Sequence, residues 1–452
     1  MENLIVICNT VNKYLIVVDI PGFELKHVSG KNTPNISKLI EKGHIAKLKS
    51  VFPAVTCTVQ ASLLSGSYPN QHGIISNGLY DRENHLVSFW EQASYLVQKD
   101  RIWDVVKSKN LNAKTAVIFW QNTMYSNSDI VLTPRPLHME DHIIMWCYSK
   151  PPLLYENISS EIGKFDLTTY WGPMASQQSS EWIGRATTSV LERERPNILF
   201  TYIPHLDYVF QREGISPGNL SQEISFVDHL VGNIIEKTVD LGIRDRCQFV
   251  VLSEYGFTQV NSDIPLNRIL REQGLLKIRE IQGKEFLDYE YSTAFAMVDH
   301  QIAHIYLKNG IEHQVKEILD GIKDIDLVLD DEGKKALKIN HMRSGDLIAI
   351  SKKEKWFSYY WWFDDNKSPP FANRVDIHRK PGYDPSELFI DNKTRTIPVN
   401  GRLIKASHGR LPSSSDDQGY GIYVSDKNNM QINCDSVVDA VTVGRYLIKH
   451  VN

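Results

Sequence analysis

Cysteine is scarce in this 452-residue chain: five are scattered at Cys8, Cys57, Cys147, Cys247 and Cys434, with no Cys-x-x-Cys pair. That odd, dispersed set argues against a disulfide framework or a structural zinc knuckle and fits a reducing compartment, so a cytoplasmic location is expected. A charge excess is also missing, since 50 Lys and Arg stand against 54 Asp and Glu. Such a balance gives no broad field to draw the chain to a nucleic-acid polymer or an anionic membrane, although a small anion remains possible. No apolar run approaches the ~20 residues that span a bilayer. The stretch Leu4 to Cys8 has no basic segment before it and no small-residue cleavage site after it, which predicts no signal peptide. Repeats and low-complexity tracts are absent. What is present is an ordinary globular composition, 42% hydrophobic and 23% charged, enough for a sizeable core.

Several short apolar runs end in a polar or Gly/Pro turn and lead into a helical pattern. Tyr14 to Val18 leads to Asp19-Ile-Pro-Gly22, Thr115 to Phe119 leads to Trp120, Asn197 to Ile203 leads to Pro204-His-Leu-Asp207, and Gln248 to Leu252 leads to Ser253-Glu-Tyr-Gly256. Continuous rather than alternating runs suit strands buried on both faces, as in a parallel sheet covered by helices. Helices are expected over Thr33–Lys42 and Ser221–Leu241, and the alternation predicts an open α/β sheet. The pattern breaks after Gly274. Residues 276–399 are expected to form an inserted α+β cap, between a first core segment, 1–275, and a last one, 400–452. The last segment holds Ser407-His-Gly-Arg410, a strand over Gly421–Val424, a helix over Val437–Lys449 and a loop over Ser413–Asp417.

Ligands of open α/β sheets bind beyond the carboxyl ends of the strands. Asp19, Asp207 and Glu254 each follow a predicted strand. One such acid is an ordinary turn residue; three of them could line one crevice. Thr56 precedes an apolar helical stretch through Leu64. It is either a plain helix cap or a hydroxyl held where a helix N-terminus favours an anion.

The run of motifs then resembles the type I phosphodiesterase/nucleotide pyrophosphatase family of the alkaline phosphatase superfamily. The motifs are Val18-Asp-Ile-Pro-Gly22, Phe52-Pro-Ala-Val-Thr56, Ser65-Gly-Ser-Tyr-Pro-Asn-Gln-His-Gly-Ile74, Asn77-Gly-Leu-Tyr-Asp81, Tyr202-Ile-Pro-His-Leu-Asp207, Ser253-Glu-Tyr-Gly256 and Ser407-His-Gly409. The resemblance implies an alkaline-phosphatase-like fold with a mainly parallel sheet between helices, and two divalent metal ions, zinc in most members. It implies Thr56 as nucleophile, Asp19 as a ligand of the metal that activates it, Asn77 as donor to a phosphate oxygen, and Asp207 and His408 as ligands of the second metal. Metal coordination would lower the pKa of a Thr hydroxyl, and a second ion about 4 Å away would stabilise the departing oxygen.

Three positions depart from that pattern. Gln211 stands where a His is usual four residues after Asp207, and Glu254-Tyr255 stand where Asp-His is usual. The donor set is therefore Asp19, Thr56, Glu254 and Tyr255 for one ion, and Asp207, His408 and Gln211 for the other. Its oxygens suit manganese, magnesium or iron better than zinc. Alternatively a histidine from elsewhere fills the gap: His205, His378 in the loop Val375-Asp-Ile-His-Arg-Lys-Pro-Gly-Tyr-Asp384, or His300 and His304. The Glu-Tyr variant is similar to a bacterial subgroup of alkaline phosphatase family proteins.

Arg379 and Lys380 are expected to contact substrate phosphate, with Arg343 a further candidate. The aromatic block Trp356 to Phe363 either stacks on a flat leaving group or packs as a strand. No sulfatase-type Cys-x-Pro-x-Arg, no Gly-x-Ser-x-Gly elbow and no P-loop occurs. The expected activity is metal-dependent hydrolysis of phosphodiester or pyrophosphate bonds in a small phosphorylated substrate. The alternatives are a phosphomonoesterase or phosphotransferase on the same Thr, and a catalytically weak binder of a phosphorylated metabolite. Nothing in the sequence sets the oligomeric state.

Overall fold

The computed structural model describes residues 14–109, 112–216, 218, 220–308, 310–413, 418–427 and 436–450. Cys8, Cys434 and residues 414–417 of the expected loop lie outside them. Nine strands form the main sheet, numbered in chain order: β1 (Tyr14–Asp19), β2 (His44–Lys49), β3 (Thr115–Ile118), β4 (Ile130–Pro134), β5 (Cys147–Lys150), β6 (Ile198–Tyr202), β7 (Cys247–Leu252), β8 (Gly421–Ser425) and β9 (Val437–Asp439). Their spatial order is β9-β2-β8-β7-β1-β6-β3-β4-β5. The central strands β7, β1, β6, β3 and β4 run parallel, while β8 and β5 run antiparallel to their neighbours. The sheet is thus mainly parallel, as the continuous apolar runs predict. Every residue of β1, β6 and β7 is buried, which requires cover on both faces.

Two groups of helices supply that cover. Pro34–Lys42, Leu154–Ile162, Gln177–Glu194 and Leu220–Asp240 pack on one another, and Thr56–Ser65 packs on the closing helix Ala440–His450. The turn after β1 needs Gly22: its φ is +79°, and a Cβ there would lie 2.9 Å from the Phe210 ring. Helix Thr56–Ser65 ends at Gly66 in the left-handed region, whose amide donates to the Ser62 carbonyl at 2.8 Å.

A second, antiparallel sheet has the order Ala294–Asp299, Ile302–Leu307, Leu347–Ser351, Ile325–Leu329, with helices Glu312–Asp320 and Asp331–Ala336. Its hydrophobic cluster already includes Ile264, Leu266 and Leu270, ahead of residue 276, and draws in Phe52, Ile75, Tyr80, Val87 and Phe89 from the first core segment. The strand Ser262–Pro265 pairs with Lys355–Ser358. The aromatic block packs inside: of its seven rings only Phe363 is exposed. It is core rather than a stacking surface. Among the described residues no helix is long and apolar enough to cross a membrane.

Candidate functional site

The carboxyl ends of β1, β6 and β7 bring three acids to one place. Asp19 is the last residue of β1, Asp207 lies in the first turn of helix His205–Glu213 after β6, and Glu254 follows β7. All three are buried. Burial raises the carboxyl groups of Asp19 and Glu254 far above the ordinary carboxylate range, and the Asp19 charge raises Glu254 further. Gln60 donates to Asp19 Oδ2 at 3.2 Å. Gln60 sits one helical turn after Thr56, on the same face, a spacing that could have marked it in the sequence.

Thr56 does not cap its helix. Val55 is the N-cap and no side chain caps there. The Thr56 hydroxyl instead lies 2.8 Å from the Tyr255 phenol, and that phenol donates to Asp207 Oδ2 at 2.9 Å. With the Tyr255 proton on Asp207, the Thr56 hydroxyl donates to the phenol oxygen. Gln211 donates its amide to Asp207 Oδ1 and accepts from the Tyr383 hydroxyl at 2.8 Å. It occupies the usual His position as a hydrogen-bonded amide. Burial raises Asp207 too, opposed by the nearby His300 ring and by these two hydrogen bonds.

His408 follows the strand Ala406–Ser407, which pairs with Thr258–Gln259 just beyond Glu254. Its Nδ1 donates to the Ala54 carbonyl at 2.7 Å, which leaves the lone pair on Nε2. Burial holds the ring neutral. The ring stacks on Tyr255 at 3.7 Å, and Nε2 lies 4.0 Å from Asp207 Oδ2. Asn77 accepts from the Cys57 backbone N–H at 2.9 Å, so its amide stands beside the start of the Thr56 helix. Burial raises the Cys57 thiol well above its ordinary value, so the sulfur next to Thr56 is a poor nucleophile.

Four sequence candidates sit elsewhere. His205 is in the first turn of its helix rather than on an extended strand; its Nε2 pairs with Glu223 and its ring meets Phe226 edge-on. His378 approaches the Phe89 carbonyl at 3.2 Å. Arg379 points outward and pairs with Asp376. Lys380 is buried between Asp384 at 2.8 Å and Glu387 at 2.7 Å, in a closed ion group. Of the further candidates, Arg343 donates to the Gly73 and Leu96 carbonyls, and His304 is tied to Ile75 and Gly345, so both are struts.

The residue that sequence reasoning missed is Asp299, at the tip of the cap sheet. It accepts from Ser76 Oγ at 2.6 Å, from the Asn77 backbone N–H at 2.8 Å and from Asn77 Nδ2 at 3.2 Å. No periodicity signals a contact across 222 residues of chain.

Asp19 Oδ1, both Glu254 oxygens and His408 Nε2 are buried without a hydrogen-bond partner. Buried carboxylates need a proton or a cation, so this donor set fits divalent ions. As the side chains stand, no three His, Cys, Asp or Glu among the described residues close around a single point. A cavity of 790 Å³ lined by Tyr95, Arg101 and Arg445 contains none of these residues.

The fold is shared with solved structures. A phosphonoacetate hydrolase of Sinorhizobium meliloti 1021 in complex with phosphonoformate superposes with a TM-score of 0.66 at 15% identity, covering 98% of this chain and 97% of that one. Murine ectonucleotide pyrophosphatase/phosphodiesterase 5 superposes with a TM-score of 0.61 at 14% identity, covering 97% and 95%. The mainly parallel, alkaline-phosphatase-like architecture is therefore the one expected. In sequence the chain is 23% identical over 301 residues to an uncharacterized pyrophosphatase/phosphodiesterase of Schizosaccharomyces pombe, 63% of this chain and 54% of the relative. It is 23% identical over 276 residues to human bis(5'-adenosyl)-triphosphatase ENPP4, 56% of this chain and 49% of the relative. The chain spans about half the length of these curated relatives. The family model for type I phosphodiesterase/nucleotide pyrophosphatase matches residues 15–384, most of the chain, and the chain belongs to that family.

Proposed function

We propose that this protein is a metal-dependent hydrolase of phosphodiester or pyrophosphate bonds in small phosphorylated substrates, with Thr56 as the nucleophile. The observation that carries the reading is the Thr56 hydroxyl: it is released from capping, buried, and held by Tyr255 among acids whose oxygens lack partners. The Thr56 oxygen would attack phosphorus and form a phospho-threonine ester while the leaving oxygen departs; water would then cleave that ester. Asp19, Glu254 and Thr56, with Tyr255 beside them, would hold one ion, and Asp207 and His408 the other. Bound ions would lower the pKa of the hydroxyl and neutralise charge at the phosphoryl group. Asn77 would donate to a non-bridging oxygen. A solved neighbour supports a small phosphorylated ligand: an inactive variant of murine ectonucleotide pyrophosphatase/phosphodiesterase 5 is in complex with AMP.

Hydrolysis of bis-p-nitrophenyl phosphate and p-nitrophenyl phosphate, alongside metal analysis of the purified protein, tests the reading. Metal-dependent turnover of the diester at a higher kcat/KM is expected. Preference for the monoester would favour the phosphomonoesterase reading. Turnover of neither substrate with either ion site filled would favour a binding protein.

A further inference from the structure

Asp207 lacks the imidazole that its own helix would supply, because one turn on the residue is Gln211. A different element brings an imidazole against His408, whose own ring faces Asp207. His300 sits at the hairpin tip between the cap strands Ala294–Asp299 and Ile302–Leu307, with φ at +59°. Non-glycine residues are uncommon in that conformation, and histidine is among the few enriched there, so the turn can present this ring. The side chain is buried. Its Nδ1 lies 2.7 Å from Asp299 Oδ1. Asp299 is itself anchored by Ser76 and the Asn77 amide, so it accepts a proton-bearing Nδ1 and leaves the lone pair on Nε2. The ring is clamped face to face by Tyr383 at 3.7 Å, and His408 lies 3.8 Å away on its other contact. Tyr383 in turn reaches Gln211, the residue that holds Asp207.

We propose that His300 supplies the second imidazole of the Asp207–His408 metal site, delivered by the cap hairpin in place of the histidine that Gln211 replaces. This rests on the metal-dependent reading above. Three features favour a ligand over a strut. A carboxylate on the far nitrogen of an imidazole is the arrangement that fixes the tautomer and orientation of metal-bound histidines. His408 presents the same tautomer, with Nδ1 on a carbonyl and Nε2 unpartnered, 4.0 Å from Asp207 Oδ2. That separation is within twice an ordinary metal–ligand bond of about 2.1 Å. One carboxylate and two imidazoles leave open positions for substrate, as catalytic metal sites require. His304, four residues on, has both ring nitrogens engaged by backbone and shows what a structural histidine looks like in the same hairpin.

The test is zinc and cobalt binding to the full-length protein after chelation, read by equilibrium dialysis with elemental analysis and by the cobalt d–d spectrum. The variants are His300→Phe, which keeps the stacked ring without nitrogen, and His300→Gly, which suits the positive φ without a side chain. Wild type should take up two ions. Both variants should keep the ion at Asp19 and Glu254 and bind the other more weakly by over ~100-fold, beyond what losing an outer-shell partner costs. The cobalt spectrum of that second ion should change as well. The proposal is overturned if both variants bind two ions with wild-type affinity and spectrum while Asp207→Asn loses one. In that case the metal-dependent reading survives. If wild type binds no ion, both fall. Should His300→Phe fail to fold, His300→Gly decides the question.

Discussion

Replacing Thr56 with alanine separates a nucleophile from a helix cap, because the two roles predict opposite ratios of lost rate to lost stability. The residue is the first of its helix, Val55 is the N-cap, and no side-chain cap is present, so the roughly 0.5–2 kcal/mol that a cap is worth is not at stake. The cost in stability is one hydrogen bond to Tyr255, about 1 kcal/mol, plus about 1 kcal/mol for a buried methyl, less a few tenths recovered from the better helix propensity of alanine. A net of about 1–2 kcal/mol corresponds in a chain of this size to a fall in Tm of no more than ~5 °C. Loss of a covalent nucleophile costs on the order of 10⁴–10⁶ in kcat, which is about 5–8 kcal/mol of barrier. Single-turnover hydrolysis of bis-p-nitrophenyl phosphate gives the rate, and differential scanning calorimetry gives the Tm. Thr56→Ser keeps the oxygen and should retain measurable turnover. Acid quenching of wild type followed by peptide mass analysis should find phosphate on Thr56. Wild-type turnover by Thr56→Ala would refute the assignment of nucleophile outright.

Tyr255→Phe removes the hydroxyl bridging Thr56 and Asp207 and keeps the ring stacked on His408, so kcat should fall roughly 10–100-fold with the fold retained, as about 1.5–3 kcal/mol per hydrogen bond to a charged group implies; an unchanged kcat would dismiss the bridge. Exhaustive chelation should abolish diester hydrolysis and manganese or zinc should restore it; full activity in a demonstrably ion-free sample would contradict the donor assignment. Lys380→Met should destabilise by about 3–5 kcal/mol through two abandoned buried carboxyl groups, whereas Arg379→Ala should move stability by under ~0.5 kcal/mol and leave KM within twofold; denaturant titration and initial rates check both. His72 is buried with its pKa lowered to about 3, its Nδ1 accepting from the Ile74 amide and its Nε2 facing Ser62. Below pH 6.5 the unfolded chain protonates this ring and the folded one does not, so the loss of stability steepens toward about 1.4 kcal/mol per pH unit; between pH 6.5 and 5 wild type should lose about 1.5 kcal/mol more than His72→Gln, and parallel urea-derived pH profiles would exclude the linkage.

The main sheet is legible because β1, β3, β6 and β7 carry near-continuous apolar runs, which suit strands covered on both faces. β2 was not, since His44-Ile-Ala-Lys-Leu-Lys49 alternates in burial and carries its lysines outward, a weak pattern in a short window. Asp19, Asp207 and Glu254 were legible as a set because each follows a strand, and a parallel sheet gathers such ends. The expected cap begins at 276, and the hydrophobic cluster around its sheet also takes in Ile264 and Leu266, from an apolar strand that reads no differently from those of the core. Lys380 looked available for phosphate because its neighbours Asp376, Arg379 and Asp384 read as a charged loop; spacing alone does not reveal that Glu387 and Asp384 close on its ammonium in the interior. Asp299 was out of reach for a stronger reason. Its partners lie in a segment more than 200 residues earlier, so only the packing of cap on core creates the contact.

That packing makes the cap a fixed wall of the site. Asp299 carries the connection: three hydrogen bonds run from Ser76 and Asn77 to one buried carboxylate, and the neighbouring Gln301 amide donates to the His408 carbonyl at 3.0 Å. Asn77 passes the constraint to the Cys57 amide, and so to the first turn of the helix that bears Thr56. Lifting the hairpin away would expose or orphan every one of these groups, each at about 1–3 kcal/mol. A hinged lid draws on elements with few buried contacts, and this hairpin has the opposite character. The core acids and the hairpin tip then hold their relative positions. The hairpin thereby fixes the Asn77 amide against the start of the Thr56 helix, from a sheet other than the one that supplies the acids.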